Sequence, residues 1–321
     1  MTRFNLVRGA IADLRLAWCS LSLLNRLAVA VLLVSGLGHV PLLLISEIAW
    51  DEPTSFRKPI LFGLSTGLTL WSCLWVLCKL RPHRWDQAMG ALLSGSLVVE
   101  VGLITAQAWR GTRSHFNRDG TLNAGIELLM LVLIVIATAI IVWICVRAFS
   151  PAEFPSKILS VELATDERLF APSMRSSIRY GMLLLVVSCL LGFVITAIGK
   201  AAQQQGLPPE LFGPRGVLKF PHGAALHAIQ TLVVLAWFCQ VIEQKRSRLC
   251  IASAIVAHFS WLVYALFQTF RGKARWEFDS ISYLLLVLTL IATLVTVGML
   301  TLTLLRSLSN RSAGDQVRAS S

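Results

Sequence analysis

The fold is decided by a polar stretch between two hydrophobic runs, Gln107-Ala108-Trp109-Arg110-Gly111-Thr112-Arg113-Ser114-His115-Phe116-Asn117. Its beginning recurs 161 residues later as Gln268-Thr269-Phe270-Arg271-Gly272, with Gln, Arg and Gly at the same offsets. Each copy lies at the end of the third hydrophobic run in its half of the chain. The pair therefore predicts that the chain consists of two related halves.

A second pair of segments supports this interpretation. Phe56-Arg57-Lys58-Pro59 and Leu218-Lys219-Phe220-Pro221 each begin the second hydrophobic run of a half. Each half has four runs, and an even number gives both halves the same orientation. We therefore expect a pseudo-twofold axis along the membrane normal and not an inverted repeat.

Composition places the chain in the membrane. Of its 321 residues, 55% are hydrophobic and 14% are charged, whereas soluble proteins have about 25% charged residues. Apolar runs of about 20 residues are long enough to cross a hydrocarbon core of about 30 Å. They lie near 27–46, 59–80, 86–109, 124–147, 177–200, 222–243, 249–270 and 280–305. We predict an all-α integral membrane protein with eight transmembrane helices, built as two parallel-oriented four-helix repeats.

The distribution of positive charge predicts the orientation. The net charge is +12, but Lys and Arg cluster at the ends of apolar runs, which indicates anchoring in the lipid bilayer and not binding of nucleic acid. More of them lie on the side of the two termini, so we expect both termini in the cytoplasm of a bacterial inner-membrane protein. The seven cysteines form no close pair and are expected to be small apolar side chains.

Five segments follow from these runs. Residues 1–26 show apolar residues at helical spacing and are predicted to form an amphipathic helix on the cytoplasmic membrane surface. The first repeat covers 27–149, a cytoplasmic linker covers 150–176 and the second repeat covers 177–306. Residues 307–321 are expected to be a disordered cytoplasmic tail.

Glu100 is the strongest candidate for a functional residue. It lies ten residues before Arg110, about 15 Å below the outer end of its helix, inside the membrane. Ionisable groups at such depth are costly and are therefore candidates for function. Gln107, seven residues further on, lies on nearly the same helical face. A structural hydrogen bond between Glu100 and a neighbouring helix is the alternative.

Of the six histidines, His83 alone lies in a predicted cytoplasmic loop. Both repeat arginines lie at the predicted outer ends of runs, His39, His115, His222 and His227 lie at or near such ends, and His258 lies deeper, about 20 Å below the outer end of its run. We interpret them as parts of an outward-facing polar chamber, where Arg110 and Arg271 attract an anionic group. The alternative is that each Arg-Gly pair simply caps a helix. The candidate ligand-binding residues are Glu100, Gln107, Arg110, His115, Asn117, His222, His227, Gln268 and Arg271.

A metal or haem site is less well supported by the spacing. No His-Glu-x-x-His or aspartate-rich magnesium motif is present, and His222 and His227 are about 140° apart around a helix. His39 and His227 are predicted to lie at matching depth, and they form the one candidate pair of metal or haem ligands. Hydrogen bonds from each to a neighbouring helix are the alternative.

The Arg-Gly…Ser-His-Phe-Asn segment resembles one carried by a family of bacterial polytopic membrane proteins. The stretch from His222 to Gln230, with His, Leu-His-Ala and Gln, is similar to the second recurring motif of that family. The resemblance implies the membrane topology and carries no activity with it.

Three functions remain open at this point. The first is a membrane protein that binds a small ligand or cofactor in the outer chamber. The second is a transporter or channel, which is disfavoured because the cytoplasmic halves of the runs carry almost no polar residues. The third is a haem- or metal-dependent membrane enzyme. The residue pattern assigns no catalytic residue, no cofactor and no oligomeric state.

Overall fold

The computed structural model describes residues 18, 21–46, 48–50, 52, 54–117, 119–154, 172–242 and 245–319, with the backbone alone for 241 and 306–319. Within these ranges the chain is almost entirely helical. The helices are α1 (Leu23–Ile45), α2 (Arg57–Lys79), α3 (Asp86–Trp109), α4 (Gly120–Phe149), α5 (Pro172–Gln204), α6 (Lys219–Leu226), α7 (Ala228–Val241), α8 (Ser247–Phe270) and α9 (Ser280–Ala319). A 3-10 turn, Pro151–Glu153, follows α4, and two short antiparallel strands, β1 (Leu211–Phe212) and β2 (Gly216–Val217), lie between α5 and α6.

Eight segments of the described chain are long and apolar enough to cross a membrane. Seven are single helices, and the sixth, Lys219–Gln240, combines α6 and α7. Large apolar side chains are exposed along all of them, which is expected where lipid and not protein surrounds a helix. The prediction of an all-helical protein with eight apolar spans is therefore confirmed.

Segment boundaries differ from the predicted ones by a few residues. The third span is Asp86–Trp109, as predicted, whereas the fourth and fifth helices extend further at both ends. Most of the predicted amphipathic helix at 1–26 lies outside the described residues, and residues 23–26 already belong to α1. The backbone of α9 remains helical to Ala319, beyond the start of the predicted disordered tail at 307.

The chain divides into two compact units, and this division separates α1–α4 from α6–α9. The N-terminal unit contains α1–α4 together with Thr196–Pro209, which includes the end of α5. The C-terminal unit contains α5 as far as Ile195, the two strands and α6–α9.

Close packing of α1 against α2 holds the N-terminal unit together. A Cβ atom on Gly63 would come within 2.7 Å of the Gly36 Cα, and one on Gly36 within 2.8 Å of the Leu64 nitrogen. The two backbones can approach this closely only because both positions lack a side chain, which is a common basis for helix association in membranes. α3 packs against α1, α2 and α4 in the same unit.

A buried ion-pair network holds the C-terminal end of α4 in place. Arg147 donates to Asp86 at the start of α3 and to Glu153 in the 3-10 turn, with N–O distances of 2.5 and 2.8 Å. It also donates to the Arg81 carbonyl, and its guanidinium lies over the Trp143 ring. These contacts tie the predicted inner end of α4 to the loop between α2 and α3.

The C-terminal unit has a core in which three membrane segments meet. Leu184 of α5, Ala225 and Ala228 of the sixth span, and Leu262 of α8 form a buried apolar cluster. α8 packs against α6, α7 and α9. The exposed apolar side chains of α9 include Leu284, Leu288 and Leu294, as expected of a helix at the lipid boundary.

Candidate functional site

Helices α3 and α8 end in the same way, at the two copies of the Gln…Arg-Gly sequence. After α3, Gly111 has a φ of +63°, and after α8, Gly272 has a φ of +66°. The Thr112 N–H donates to the Gln107 carbonyl and the Lys273 N–H to the Gln268 carbonyl, each at 3.0 Å. This bonding is a Schellman motif, in which glycine adopts the left-handed conformation without steric cost. Both Arg-Gly pairs thus end a helix, and the expected attraction of an anionic group by Arg110 and Arg271 stays a prediction.

The Gln107 side chain is the centre of the cap in the N-terminal unit. Its amide nitrogen donates to Asn123 Oδ1 at the start of α4 (3.1 Å), and its oxygen accepts from Arg110 and from the Thr112 hydroxyl. Arg110 also donates to Asn123 Oδ1 at 3.1 Å and is exposed. The structure therefore brings together two of the predicted ligand-binding residues, Gln107 and Arg110.

His115 and Asn117 lie in the loop between α3 and α4. The Ser114 hydroxyl is 2.9 Å from His115 Nδ1 and accepts a hydrogen bond from Lys58 Nζ (3.3 Å) at the start of α2. The His115 ring packs on Phe62, with centroids 5.9 Å apart. The buried Asn117 side chain donates to the Arg113 carbonyl at 3.0 Å and stabilises the loop itself.

Phe116 between them has a left-handed backbone, with a φ of +56°, which is unusual for a bulky residue. Its conformation is held from the end of α5, which belongs to the same unit. Gln203 Nε2 donates to the Phe116 carbonyl at 2.9 Å, and the Phe116 ring lies against Gly199. One turn away, Lys200 forms an ion pair of 2.9 Å with Glu127 of α4.

Glu100 lies below this cap, on the buried side of α3. Its exposed fraction is 7%, and among the described residues none forms a hydrogen bond or ion pair with its carboxyl group. The predicted alternative, a structural hydrogen bond, is not seen among these residues. Seven residues separate Glu100 from Gln107, so the two side chains project within about 20° of each other. Glu100 thus lies on the face of α3 that leads up to the polar cap.

Further hydroxyl groups of the N-terminal unit are buried without a hydrogen-bond partner among the described residues. They include those of Ser96 on α3, 3% exposed, Thr69 on α2, 7% exposed, and Thr138 on α4, 6% exposed. Ser96 lies one helical turn below Glu100 on α3. Thr69 lies ten residues before the end of α2, and Ser96 lies ten residues after the start of α3. Both residues are therefore about 15 Å from the predicted cytoplasmic ends of their helices.

The direction of Thr69 follows from its helix. Gly63 and Gly67 face α1 in the packing described above and through the Leu33 side chain. Thr69 is rotated by roughly 120–160° from both and projects away from α1. It is within about 20° of Phe62, which contacts the cap loop through His115. α2 and α3 pack together, so Thr69 lies below the cap, on the α2 face beneath Phe62.

We refer to the following residues of the N-terminal unit together as the polar column. Its top is the cap, with Lys58, Gln107, Arg110 and His115; Glu100 lies in its middle, and Thr69 and Ser96 form its lower end. Further down these faces, the next buried side chains are Cys73, Val76 and Leu93, which are apolar. Sequence reasoning found Glu100 and the cap, but it missed Thr69, Ser96 and Lys58.

His39 of the same unit is engaged at both ring nitrogens. Nδ1 donates to the Ser35 carbonyl at 2.6 Å, and Nε2 accepts from Trp109 Nε1 at 3.0 Å. The rings of Phe56 and Trp109 pack around it. To ligate a metal, His39 would have to give up the bond from Trp109.

The remaining predicted site residues belong to the C-terminal unit. Gln268, with 0% exposure, donates to the Tyr264 hydroxyl (3.2 Å) and to the Glu277 carbonyl (2.7 Å). Arg271 is exposed, is 3.4 Å from Asp279 and lies over the Phe267 ring. The Gln268 side chain therefore stabilises the loop before α9 and makes no contact with its arginine like that of Gln107.

Asp279 begins α9 and is held by several donors. Lys273 Nζ donates to Oδ2 at 2.6 Å, and the Ser282 N–H and hydroxyl donate to Oδ1, each at 2.8 Å. The Lys273 hydrogen bond, followed by those from Ser282, lowers the pKa of the Asp279 carboxyl well below its ordinary value. The exchange of bonds between Asp279 and Ser282 is a capping box.

An aromatic cluster lies next to Gln268. The Trp261 and Tyr264 rings are stacked, with centroids 5.3 Å apart, and Phe220 packs edge-on against Trp261 at 5.4 Å. Trp276 and the Arg275 guanidinium pack on the other sides. Trp261 occupies the position in α8 that Glu100 has in α3, 161 residues earlier.

Two histidines of the C-terminal unit, His222 and His258, form hydrogen bonds with neighbouring helices. His222 Nδ1 lies 2.8 Å from the Ser188 carbonyl, and the Ser188 hydroxyl donates to the His222 carbonyl at 2.9 Å. His258 Nε2 accepts from Thr231 at 2.7 Å. His227 is exposed at the junction of α6 and α7. Among the described residues, no three His, Cys, Asp or Glu side chains are grouped as a metal would need.

Comparisons with known proteins add no relative to this description. No family model matches the chain, and neither the curated proteins nor the solved structures contain a match. The resemblance given by the two sequence motifs thus stays a prediction, and so does the co-ligation of a metal or haem by His39 and His227.

Proposed function

We propose that this protein binds a small ligand in the polar column of its N-terminal unit, which the ligand enters from the periplasmic side of a bacterial inner membrane. Both termini are then cytoplasmic, as the distribution of Lys and Arg predicts. The cap of the column contains the loop between α3 and α4, and its lower end lies at about the middle of the membrane.

The observation that carries this proposal is the state of Glu100. A carboxyl group that is 7% exposed, at the middle of a span, has a large unfavourable free energy of insertion. Structural acids in membranes offset it with hydrogen bonds or ion pairs, as Glu127 does with Lys200. Glu100 has no such contact among the described residues, so its retention is better explained by a bound ligand than by stability.

The cap supplies the groups that would orient a ligand. Arg110 is exposed and donates through only one of its terminal nitrogens in the bonds described, so its remaining N–H groups can bind an anionic group. Lys58 and His115, joined through Ser114, lie on the α2 side of the same loop. The loop contains Phe116 in a left-handed backbone conformation. Such strained residues are often found in ligand-binding segments.

We also propose that the two units are repeats of one ancestral four-helix unit, in parallel orientation. The support is local: α3 and α8 both have 24 residues and end in identical Schellman motifs at positions 161 apart. In this scheme His222, His227, Gln268 and Arg271 belong to the second unit, where His222 bonds to Ser188 and Gln268 bonds to Tyr264.

A transporter or channel is the main alternative function. It needs a polar path on both sides of the membrane, whereas the next buried side chains below Thr69 and Ser96 on the same faces are apolar, and the buried Ser94 of α3 is hydrogen-bonded to Asn25 of α1. Binding at a closed-ended site accounts for the column without such a path.

The test is a ligand screen by thermal stability in detergent. Small anionic, zwitterionic and cationic metabolites are added to the wild type and to Glu100→Gln, and unfolding is followed by tryptophan fluorescence. We expect at least one compound to raise the Tm of the wild type and to have at least tenfold weaker affinity for Glu100→Gln. Gln268→Ala, in the other unit, serves as the control and retains binding. A folded Glu100→Gln variant that binds every hit with wild-type affinity would contradict the proposal.

A further inference from the structure

We propose that Thr69, Ser96 and Glu100 form a binding site for one small monovalent cation, at the lower end of the polar column. The inference rests on the proposed function because the cation reaches this site through the same column. It goes further in naming the charge, the size and the ligating groups of what is bound.

The available atoms at this level are oxygens. Glu100 contributes a carboxylate, which only accepts, and Thr69 and Ser96 contribute hydroxyl oxygens with free lone pairs. Ser96 and Glu100 are one turn apart, with Cβ atoms about 5–6 Å from each other, yet their polar atoms form no hydrogen bond in the structure. A bound species between them would satisfy groups that the protein leaves unsatisfied.

The charge of the site favours a cation over an anion. The cationic side chains of the cap are Lys58, eleven residues above Thr69, and Arg110, ten residues above Glu100. Both helical distances are about 15 Å. At that range neither side chain neutralises the Glu100 carboxylate by contact, so an ionised Glu100 is balanced by a bound cation, whereas a protonated Glu100 needs none.

The number of acids favours a monovalent ion. Calcium takes six to eight oxygen ligands with several carboxylates, and magnesium requires six in octahedral geometry. The column has one carboxylate, and the other buried acid among the described residues of the unit, Glu127, is paired with Lys200. One positive charge makes the Glu100 site neutral, which is the condition with the lowest cost inside a bilayer. Alkali ions and small ammonium ions share this charge and bind to oxygen acceptors.

The cation dependence of thermal stability tests the inference. The purified protein is unfolded in sodium, potassium, methylammonium or N-methylglucamine chloride at constant ionic strength, with the last cation too large for the site. We expect a saturable rise in Tm with at least one of the three small cations relative to N-methylglucamine. Ser96→Ala and Thr69→Val should each weaken the apparent affinity about tenfold, and Glu100→Gln should abolish the effect.

Thr105→Val is the matched control. Thr105 has a buried hydroxyl oxygen without a partner among the described residues, but it projects about 180° away from Ser96 on the same helix. The variant should keep the wild-type cation response. Glu100→Asp should retain a weaker response, which guards against loss of folding in Glu100→Gln.

Two results would overturn the inference. Equal Tm values in all four salts would mean that Glu100 is held as a neutral acid, and a cation effect that survives in folded Glu100→Gln would place the cation elsewhere. The proposed function is contradicted by a different result, which is binding of every ligand to folded Glu100→Gln with wild-type affinity. A compound that binds in a Glu100-dependent manner without any effect of cations would leave the ligand site intact and remove only the cation.

Discussion

Glu100 and Trp261 occupy the same place in two helices of equal length, nine residues before the ends of α3 and α8. In the N-terminal unit this place holds a buried carboxyl group without a bonding partner among the described residues. In the C-terminal unit it holds an indole ring stacked on Tyr264 and packed against Phe220. Helices α3 and α8 thus end in the same way, but α3 contributes to the polar column and α8 contributes to the aromatic cluster.

The hydroxyl groups show the same contrast. Thr231 lies 162 residues after Thr69, the same spacing as between Pro59 and Pro221, and is exposed whereas Thr69 is buried. The Thr231 hydroxyl is hydrogen-bonded to His258, whereas that of Thr69 has no partner among the described residues. The contrast is confined to this pair of hydroxyls, since Gln230 and Gln268 of the C-terminal unit also have buried side-chain atoms without a partner among the described residues.

The largest expected difference in stability is between the variants Trp261→Ala and Glu100→Leu. Trp261→Ala removes a ring that contacts three other aromatic residues and should lower the free energy of unfolding by about 3 kcal/mol. Glu100→Leu removes an unpaired buried acid and should leave stability unchanged or increase it. Tm values in one detergent measure both. If Glu100→Leu proves as destabilising as Trp261→Ala, Glu100 is a structural residue.

The two cap glycines should differ by a smaller amount. Alanine at either position would adopt a left-handed backbone, at a cost of about 1–2 kcal/mol. A Cβ atom on Gly111 would meet open space, whereas one on Gly272 would lie 2.9 Å from Pro214. Gly272→Ala should therefore lower the Tm more than Gly111→Ala. The opposite order would show that the two helix ends are not packed as described.

The smallest effect concerns the start of α9. The pKa of the Asp279 carboxyl is lowered in the folded protein, so its contribution to stability is complete above the unfolded pKa of about 3.9 and is lost as pH falls below it. The difference in Tm between wild type and Asp279→Asn should be constant from pH 6 to 4.5 and shrink below pH 4. Asp119→Asn is the control in the other unit, since Asp119 begins α4 without a side-chain cap bond. A constant difference at all pH values would contradict the assignment.

Long apolar runs made the eight spans predictable because a membrane helix satisfies its own backbone and needs little tertiary information. Glu100 was found for a related reason, since an ionisable residue inside such a run is conspicuous. Thr69 and Ser96 were not found because hydroxyl residues are common in membrane helices and usually donate to the carbonyl four residues earlier, as Ser72 and Ser260 do. Their lack of a partner is a property of the packed helices.

The hydrogen-bond partners of the histidines also could not be predicted from the sequence. The sequence offered His39 either as a metal ligand or as a hydrogen-bond partner of a neighbouring helix, but it could not identify the partner, because Trp109 lies 70 residues away and periodicity does not pair them. Gln107 and Gln268 also share one sequence pattern and one backbone role, yet their side chains bond to different residues. Such differences are set by contacts between helices, to which a one-dimensional pattern is blind.

The central proposal is that the polar column of the N-terminal unit can be reached from the outside and that its counterpart cannot. Ser96→Cys and Ala257→Cys, placed at equivalent positions 161 residues apart in a cysteine-free background, test it directly. Intact spheroplasts are treated with a small, membrane-impermeant, positively charged thiol reagent. We predict modification of Ser96→Cys, slowed by the cation or ligand that binds the column, and no modification of Ala257→Cys. Equal rates at both positions, or reaction at residue 257 alone, would contradict the account.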